Sequence, residues 1–204
     1  MTSQPPSSPT DPLENIRLSP AALKVLAHPL RSRLLGRLRH RGRATATELA
    51  QDLQTNTGAT SYHLRRLAEV GLVEDTGEGQ GKRRLWAPAS QMHSWMPSDF
   101  ADDEDAETAL NWLERDYLRH LGEHAERWLD VSATWPTDWQ DAVGIGDLGV
   151  LVTAAQARAL REEIAEVVER YRRAGQGNPS ARRVSVWTVS YPIDLDNPPR
   201  GTAS

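Results

Sequence analysis

"NTGATSYHLRRLAEVGLV", residues Asn56 to Val73, decides how this chain is read. Leu64, Leu67 and Val70 recur at helical spacing, which predicts an amphipathic helix over 56–70. Asn56 is its best N-cap, because a short side-chain oxygen can accept from the first free backbone N–H groups. Gly71 ends the helix, and Leu72-Val73 resumes as an extended apolar pair. The first turns hold only small and hydroxyl residues, Thr57, Gly58, Ala59, Thr60 and Ser61, followed by Tyr62. A helix that only packs needs no such end. A helix whose backbone comes close to another surface does.

The flanks give that helix a setting. Upstream, Thr45-Ala46-Thr47-Glu48 fits a capping box, followed by a short helix over 47–53. Gln54, Thr55 and Asn56 then form a turn, so the two helices make a helix-turn-helix pattern. Further back, residues 20–40 carry an apolar stripe of leucines, and Pro29 splits them into two helices meeting near His28. Downstream, "LVEDTGEGQGKRRLWAPA" places strand-like runs at 72–74 and 84–87 around a glycine-rich charged turn, which is a β-hairpin. A helix-turn-helix followed directly by a hairpin is a winged helix.

The rest of the chain reads differently. Residues 1–12, rich in Pro, Ser and Thr, form a tail expected to lack structure, ahead of a winged-helix domain over 13–90. Residues 91–107 form a linker that turns acidic at "PSDFADDEDAE". A domain over 108–192 follows, and 193–204 is a second tail. Within 108–192 the first element is a long helix over 108–131. It carries Leu110, Leu113, Tyr117, Leu121 and Trp128 on one face, widened by Trp112, Leu118 and Leu129. That stripe is wider than one side of a small domain requires, and it predicts a homodimer with this helix as the seam. Residues 134–147 read as loop, 148–152 as strand, 154–173 as helix and 183–191 as a final strand. The expected fold is therefore α+β: a winged helix-turn-helix, a long dimerisation helix and a small strand-helix-strand region.

Charge divides along the same line. Residues 1–90 hold 13 Lys and Arg against 8 Asp and Glu, whereas 91–204 hold 11 against 20. A basic first half on a chain of net charge -4 predicts an anionic partner for that half alone. The cationic clusters are Arg31, Arg33, Arg37, Arg39, Arg41 and Arg43, then Lys82, Arg83 and Arg84.

Four segments now point to a family. "LAHPLRSRLL" (26–35), "ATELAQDL" (46–53), "SYHLRRLAEVGLVE" (61–74) and "GKRRLWAPA" (81–89) together resemble the winged-helix domain of ArsR-like bacterial transcription regulators over residues 20–90. The resemblance implies that 56–70 is a recognition helix in the DNA major groove and that 72–87 is a wing on the backbone and minor groove. On that reading Asn56, Thr57, Gly58, Thr60 and Ser61 approach base edges, and Tyr62 meets phosphate or a thymine methyl. Arg65, Arg66, Lys82, Arg83 and Arg84 would then neutralise phosphates. A solvated helix face with ordinary surface charges is the plainer alternative. His63 either touches phosphate or bonds inside the fold.

Many such relatives sense soft metals through a Cys-x-Cys pair, which here would fall on Thr45 and Thr47. The chain has no cysteine at all, and a hydroxyl cannot replace a thiolate for a soft ion. His120 and His124, four residues apart on the long helix, are a weak metal pair that lacks a third ligand. Of seven tryptophans, Trp95, Trp112, Trp128, Trp135 and Trp139 lie between the wing and the last helix. They line either a pocket for a small apolar effector or, more ordinarily, a packed interface.

No Ser/His/Asp arrangement or phosphate-cradling loop points to an enzyme, and "GIGDLG" at 144–149 does not fit a dinucleotide fingerprint. No cofactor is expected. No long apolar run suggests a membrane span, so a cytoplasmic protein is the default. The reading that results is a dimeric, sequence-specific regulator of transcription on double-stranded DNA, acting as a repressor. The alternatives are a winged helix that binds protein, or a regulator whose C-terminal domain senses an apolar molecule.

Overall fold

A computed structural model describes residues 15–79, 81, 83–196 and 198–199. The N-terminal tail over 1–12 lies outside the described residues. The chain forms two units, divided between Gly144 and Ile145.

The first unit opens with β1 (Asn15–Arg17), α1 (Pro20–Leu26) and α2 (Pro29–Arg41). The break between the helices falls at Ala27 and His28, because Pro29 can start a helix but cannot continue one. The His28 Nδ1 accepts from the Leu30 N–H at 3.1 Å and so caps α2. Next come β2 (Ala44–Thr45), α3 (Ala46–Asp52) and α4 (Thr57–Glu69). The capping box is present: the Thr45 hydroxyl accepts from the Glu48 N–H, and the Glu48 carboxylate accepts from the Thr45 N–H at 2.7 Å. Leu72 and Val73 follow Gly71, which turns the chain out of α4 at φ +73, a conformation that glycine adopts without strain.

The hairpin is β3 (Val73–Asp75) and β4 (Leu85–Pro88), with Glu74 opposite Ala87, and β2 pairs along the other side of β4. The resulting sheet has the order β2-β4-β3. At the hairpin tip a Cβ on Gly79 would lie 1.9 Å from the Arg83 carbonyl oxygen, so only glycine fits. A second, parallel pairing joins β1 to β5 (Met92–Ser94). Three-residue strands without periodicity leave no mark in the sequence, and neither was expected.

The stretch read as an acidic linker is not a tether. After β5 it forms a 3-10 turn (Pro97–Phe100), and then α5 (Glu104–Val131) begins four residues earlier than expected. Phe100 is 1% exposed and belongs to the main core. The acidic residues have partners: Asp99 with Arg17, and Asp103 with Lys24 at 2.8 Å. Asp103 also caps α5, and carboxylates favour a helix N-terminus electrostatically. Net negative charge suggested solvent, but in place it clamps α5 onto β1 and α1.

One core follows from this. Leu23, Leu26, Leu34, Leu38, Leu49, Leu64 and Leu67 from the first four helices are buried with Leu72 and Trp86 of the hairpin. Ala106, Leu110 and Leu113 of α5 close the same cluster. The stretch read as loop after α5 holds a 3-10 turn (Ser132–Thr134) and α6 (Thr137–Ala142).

The second unit contains α7 (Ala154–Tyr171), capped by Thr153 and Gln156. The strands expected at 148–152 and 183–191 are not formed. A strand needs a neighbour for its backbone groups, and β-branched composition alone does not supply one. Leu151 and Tyr191 are exposed instead of packed, as are Val167, Val168 and Tyr171 of α7. The α+β class stands through the first unit's helices and sheet.

Candidate nucleic-acid interface

The leucines of α4 set its phase. Leu64 and Leu67 point into the core, so Thr57, Gly58 and Tyr62 stay exposed, with Ser61 and Arg65 on the same outer side. Asn56 caps the helix, its Oδ1 accepting from the Ala59 N–H at 2.7 Å. Tyr62 is 53% exposed. The Arg65 Nε donates to the Ser61 carbonyl at 3.1 Å, which lays its guanidinium along the outer face.

Thr60 corrects the expectation. It is 0% exposed, and its hydroxyl donates to the Asn56 carbonyl at 3.0 Å. It cannot reach a base edge, because it lies one turn before Leu64 on the buried face. Arg66 also departs from the outer stripe: it is half-buried and pairs with Glu69.

The outer face of α4 forms one wall of a groove of about 350 Å³. Thr57, Ser61 and Arg65 line it from α4, and Arg83, Arg84 and Trp86 line it from the wing. Thr45, Ala46 and Thr47 at the start of α3 complete it. The fold thus brings together the hydroxyls of α4 and the arginines of the hairpin, which lie over 20 positions apart in sequence. Arg84 is aimed by Asp75, 3.4 Å from its Nε, and its guanidinium lies 5.9 Å from the Trp86 ring centre. Lys82 lies outside the described residues.

Thr45, Thr47 and Trp86 were not anticipated as groove residues. In the sequence the two threonines stand out as part of a capping box and as the positions where metal-sensing relatives carry cysteine. Trp86 is signalled by its strand position beside Arg84, since alternate residues of a hairpin strand share a face.

The first basic cluster is largely structural. Arg41 pairs with Glu48 at 3.2 Å and with Asp52 at 2.7 Å, and Arg43 pairs with Glu78. The Arg31 Nε donates to the Val25 carbonyl. The Arg39 Nε donates to the Ser90 carbonyl at 3.0 Å, and Nη1 donates to the His93 Nδ1. Burial lowers Arg39 to about 10 and His93 to about 3. Because a guanidinium only donates, the neutral His93 ring carries its proton on Nε2 and donates to the Tyr117 hydroxyl at 2.7 Å.

His63 packs inside the fold. Its ring lies 4.6 Å from that of His28, and among the described residues its buried Nδ1 has no hydrogen-bond partner. Burial, then the neighbouring His28 and Arg31, lower its pKa below the usual histidine value.

The residues expected at the dimer seam divide. Leu110 and Leu113 are buried in the chain's own core, and Tyr117 packs against that core and is bonded to His93, so this end of the face is already occupied within the chain. One helix face cannot serve the same contact area twice. Leu121 and Trp128 lie further along, where α5 leaves the core and Leu118 and Leu129 are exposed. Asp116, 1% exposed, accepts from the Ser32 hydroxyl at 2.7 Å and pairs with Arg119, which ties α5 to α2. His120, one of the weak metal pair, sits 3.6 Å from Asp116 and accepts from Arg33 at 3.3 Å. His124 is exposed. Among the described residues no group of three or more His, Asp or Glu could hold a metal ion.

Residues 26–76 match the sequence profile of a helix-turn-helix domain. A search of curated proteins found no match. The chain carries a helix-turn-helix DNA-binding domain, the kind found in regulators of transcription. Among the described residues no helix is long and apolar enough to cross a membrane.

Proposed function

We propose that this protein is a dimeric, sequence-specific DNA-binding regulator of the ArsR-like kind, acting as a repressor and not as an enzyme. The groove between α4 and the wing carries the reading. One wall offers Thr57 and Ser61, short groups that can bond base edges, and the other offers Arg83 and Arg84 for phosphates. α4 enters the major groove by its N-terminal turns, and the wing follows the backbone into the minor groove.

The dimer seam is the second half of α5, where Leu118, Leu121, Trp128 and Leu129 lie beyond the intramolecular core. A two-fold dimer calls for a near-palindromic site with half-sites about one helical turn apart, roughly 10–11 base pairs. Edge-to-face contacts of Trp128 with Trp135 at 5.4 Å and Trp135 with Trp139 at 5.8 Å favour packing at the end of α5 over an effector pocket.

Sequencing the genomic fragments that the full chain retains tests the proposal. A recurrent palindromic motif near promoters, with transcription rising when the chain is deleted, is the expected result. Fragments without a shared motif would overturn sequence-specific binding, and falling transcription would overturn repression.

A further inference from the structure

The second unit has no core of its own. None of its described residues is buried, and Leu148, Leu151, Tyr171 and Ile193 all stand exposed. A segment that buries no side chain has nothing to offset the entropy of ordering it. Its helix must be covered by something, and the sequence of α7 indicates what kind of surface fits.

Ala157, Leu160, Ile164, Val167 and Tyr171 follow one another at alternating steps of three and four residues. That is the repeat of a coiled-coil seam, whose partner is another helix with the same repeat. Val167 and Tyr171 leave the C-terminal end of the seam open, 43% and 73% exposed, while Ala157, Leu160 and Ile164 are half-buried.

Charge beside the seam selects the partner and its direction. Glu163 and Arg170, both exposed, flank the seam on one side, and Arg161 and Val168 flank it on the other. In a parallel pair Glu163 would face the partner subunit's Val168, and no ion pair forms. In an antiparallel pair Glu163 faces the partner subunit's Arg170, and the two-fold axis repeats the contact. Ile164 then meets the partner subunit's Val167, and Leu160 meets the partner subunit's Tyr171. A self-complementary pattern of this kind suits an isologous contact.

We propose that α7 is a self-association surface, covered in the dimer by α7 of a second copy running antiparallel. The inference rests on the dimeric reading and adds a second seam to the one on α5. Because the covering surface is a copy of itself, the exposed face is satisfied only on assembly.

Sedimentation velocity of the full chain over nanomolar to micromolar concentrations tests it. Glu163→Arg and Arg170→Glu each replace two attractions with two repulsions, so each should raise the dimer dissociation constant roughly tenfold. The double swap restores opposite charges and should return the constant to within about twofold of wild type. Both positions are exposed, so circular dichroism should show unchanged helix content. A wild-type chain that stays monomeric overturns the dimeric reading and this inference together. If wild type dimerises and Leu129→Glu weakens the dimer, but neither charge reversal does, the α5 seam stands and this inference alone falls. Reversals that weaken the dimer without rescue by the double swap overturn the antiparallel pairing.

Discussion

Thr60 and Ser61 are neighbours with nearly the same chemistry, but Thr60 is buried whereas Ser61 lines the groove. Thr60→Ala removes a buried methyl and a hydroxyl that donates to the Asn56 carbonyl at 3.0 Å. The lost methyl costs about 1 kcal/mol with its residual cavity, and the lost hydrogen bond costs a further ~0.5–1 kcal/mol. The Asn56 carbonyl is not orphaned, because it still accepts from the Thr60 N–H at 3.1 Å. The net loss is therefore about 1.5 kcal/mol of stability, or a fall in Tm of roughly 3–6 °C for a chain of this size. DNA affinity per folded molecule should not change. Thermal melts followed by circular dichroism give the first quantity, and titrations well below the transition give the second. Unchanged stability with a tenfold loss on the specific site would show that Thr60 reads a base, and the phase assigned to α4 would be wrong.

Further outcomes follow from other parts of the fold. Leu113→Ala opens a cavity in the core and should cost about 2–5 kcal/mol in urea unfolding, whereas Leu129→Glu should leave that unfolding nearly unchanged and shift sedimentation towards monomer. His93 is held neutral with a pKa of about 3, so the unfolded chain binds a proton below about 6.5 that the folded chain refuses. Stability should fall as pH drops from about 6.5 towards 4.5, by up to ~1.4 kcal/mol per pH unit, and His93→Gln should flatten urea midpoints measured across that window. With no cysteine in the chain, stoichiometric arsenite or cadmium should leave operator affinity unchanged in a gel shift.

The parts of the fold legible in the sequence were those set by local chemistry. Thr45 with Glu48, Asn56 before α4 and Pro29 after His28 each act over one turn of chain, and each element begins or ends where they indicate. The phase of α4 was also legible: Thr60 lies four residues before Leu64 and seven before Leu67, on the face they define. Its polarity disguised its side. The remainder depends on contacts distant in sequence. Phe100 joins the core from within an acidic run, and Arg39 is half-buried against Ser90 and His93 although it belongs to a stretch rich in arginine. Composition near a residue does not say what a later element will lay over it. The β-branched run at 183–191 illustrates the converse, since its pairing depends on a neighbour that no local pattern specifies.

The central claim is that α4 reads sequence while the wing supplies charge. Binding titrations of wild type, Ser61→Ala and Arg83→Ala, on the operator and on a scrambled duplex at several salt concentrations, test it most directly. Ser61→Ala should lose roughly 1–3 kcal/mol per half-site on the operator and far less on the scrambled duplex. Arg83→Ala should weaken both duplexes alike and flatten the slope of log affinity against log salt by about one per subunit. Equal proportional losses on both duplexes for the two variants would contradict the account, because α4 would then not be the element that distinguishes one sequence from another.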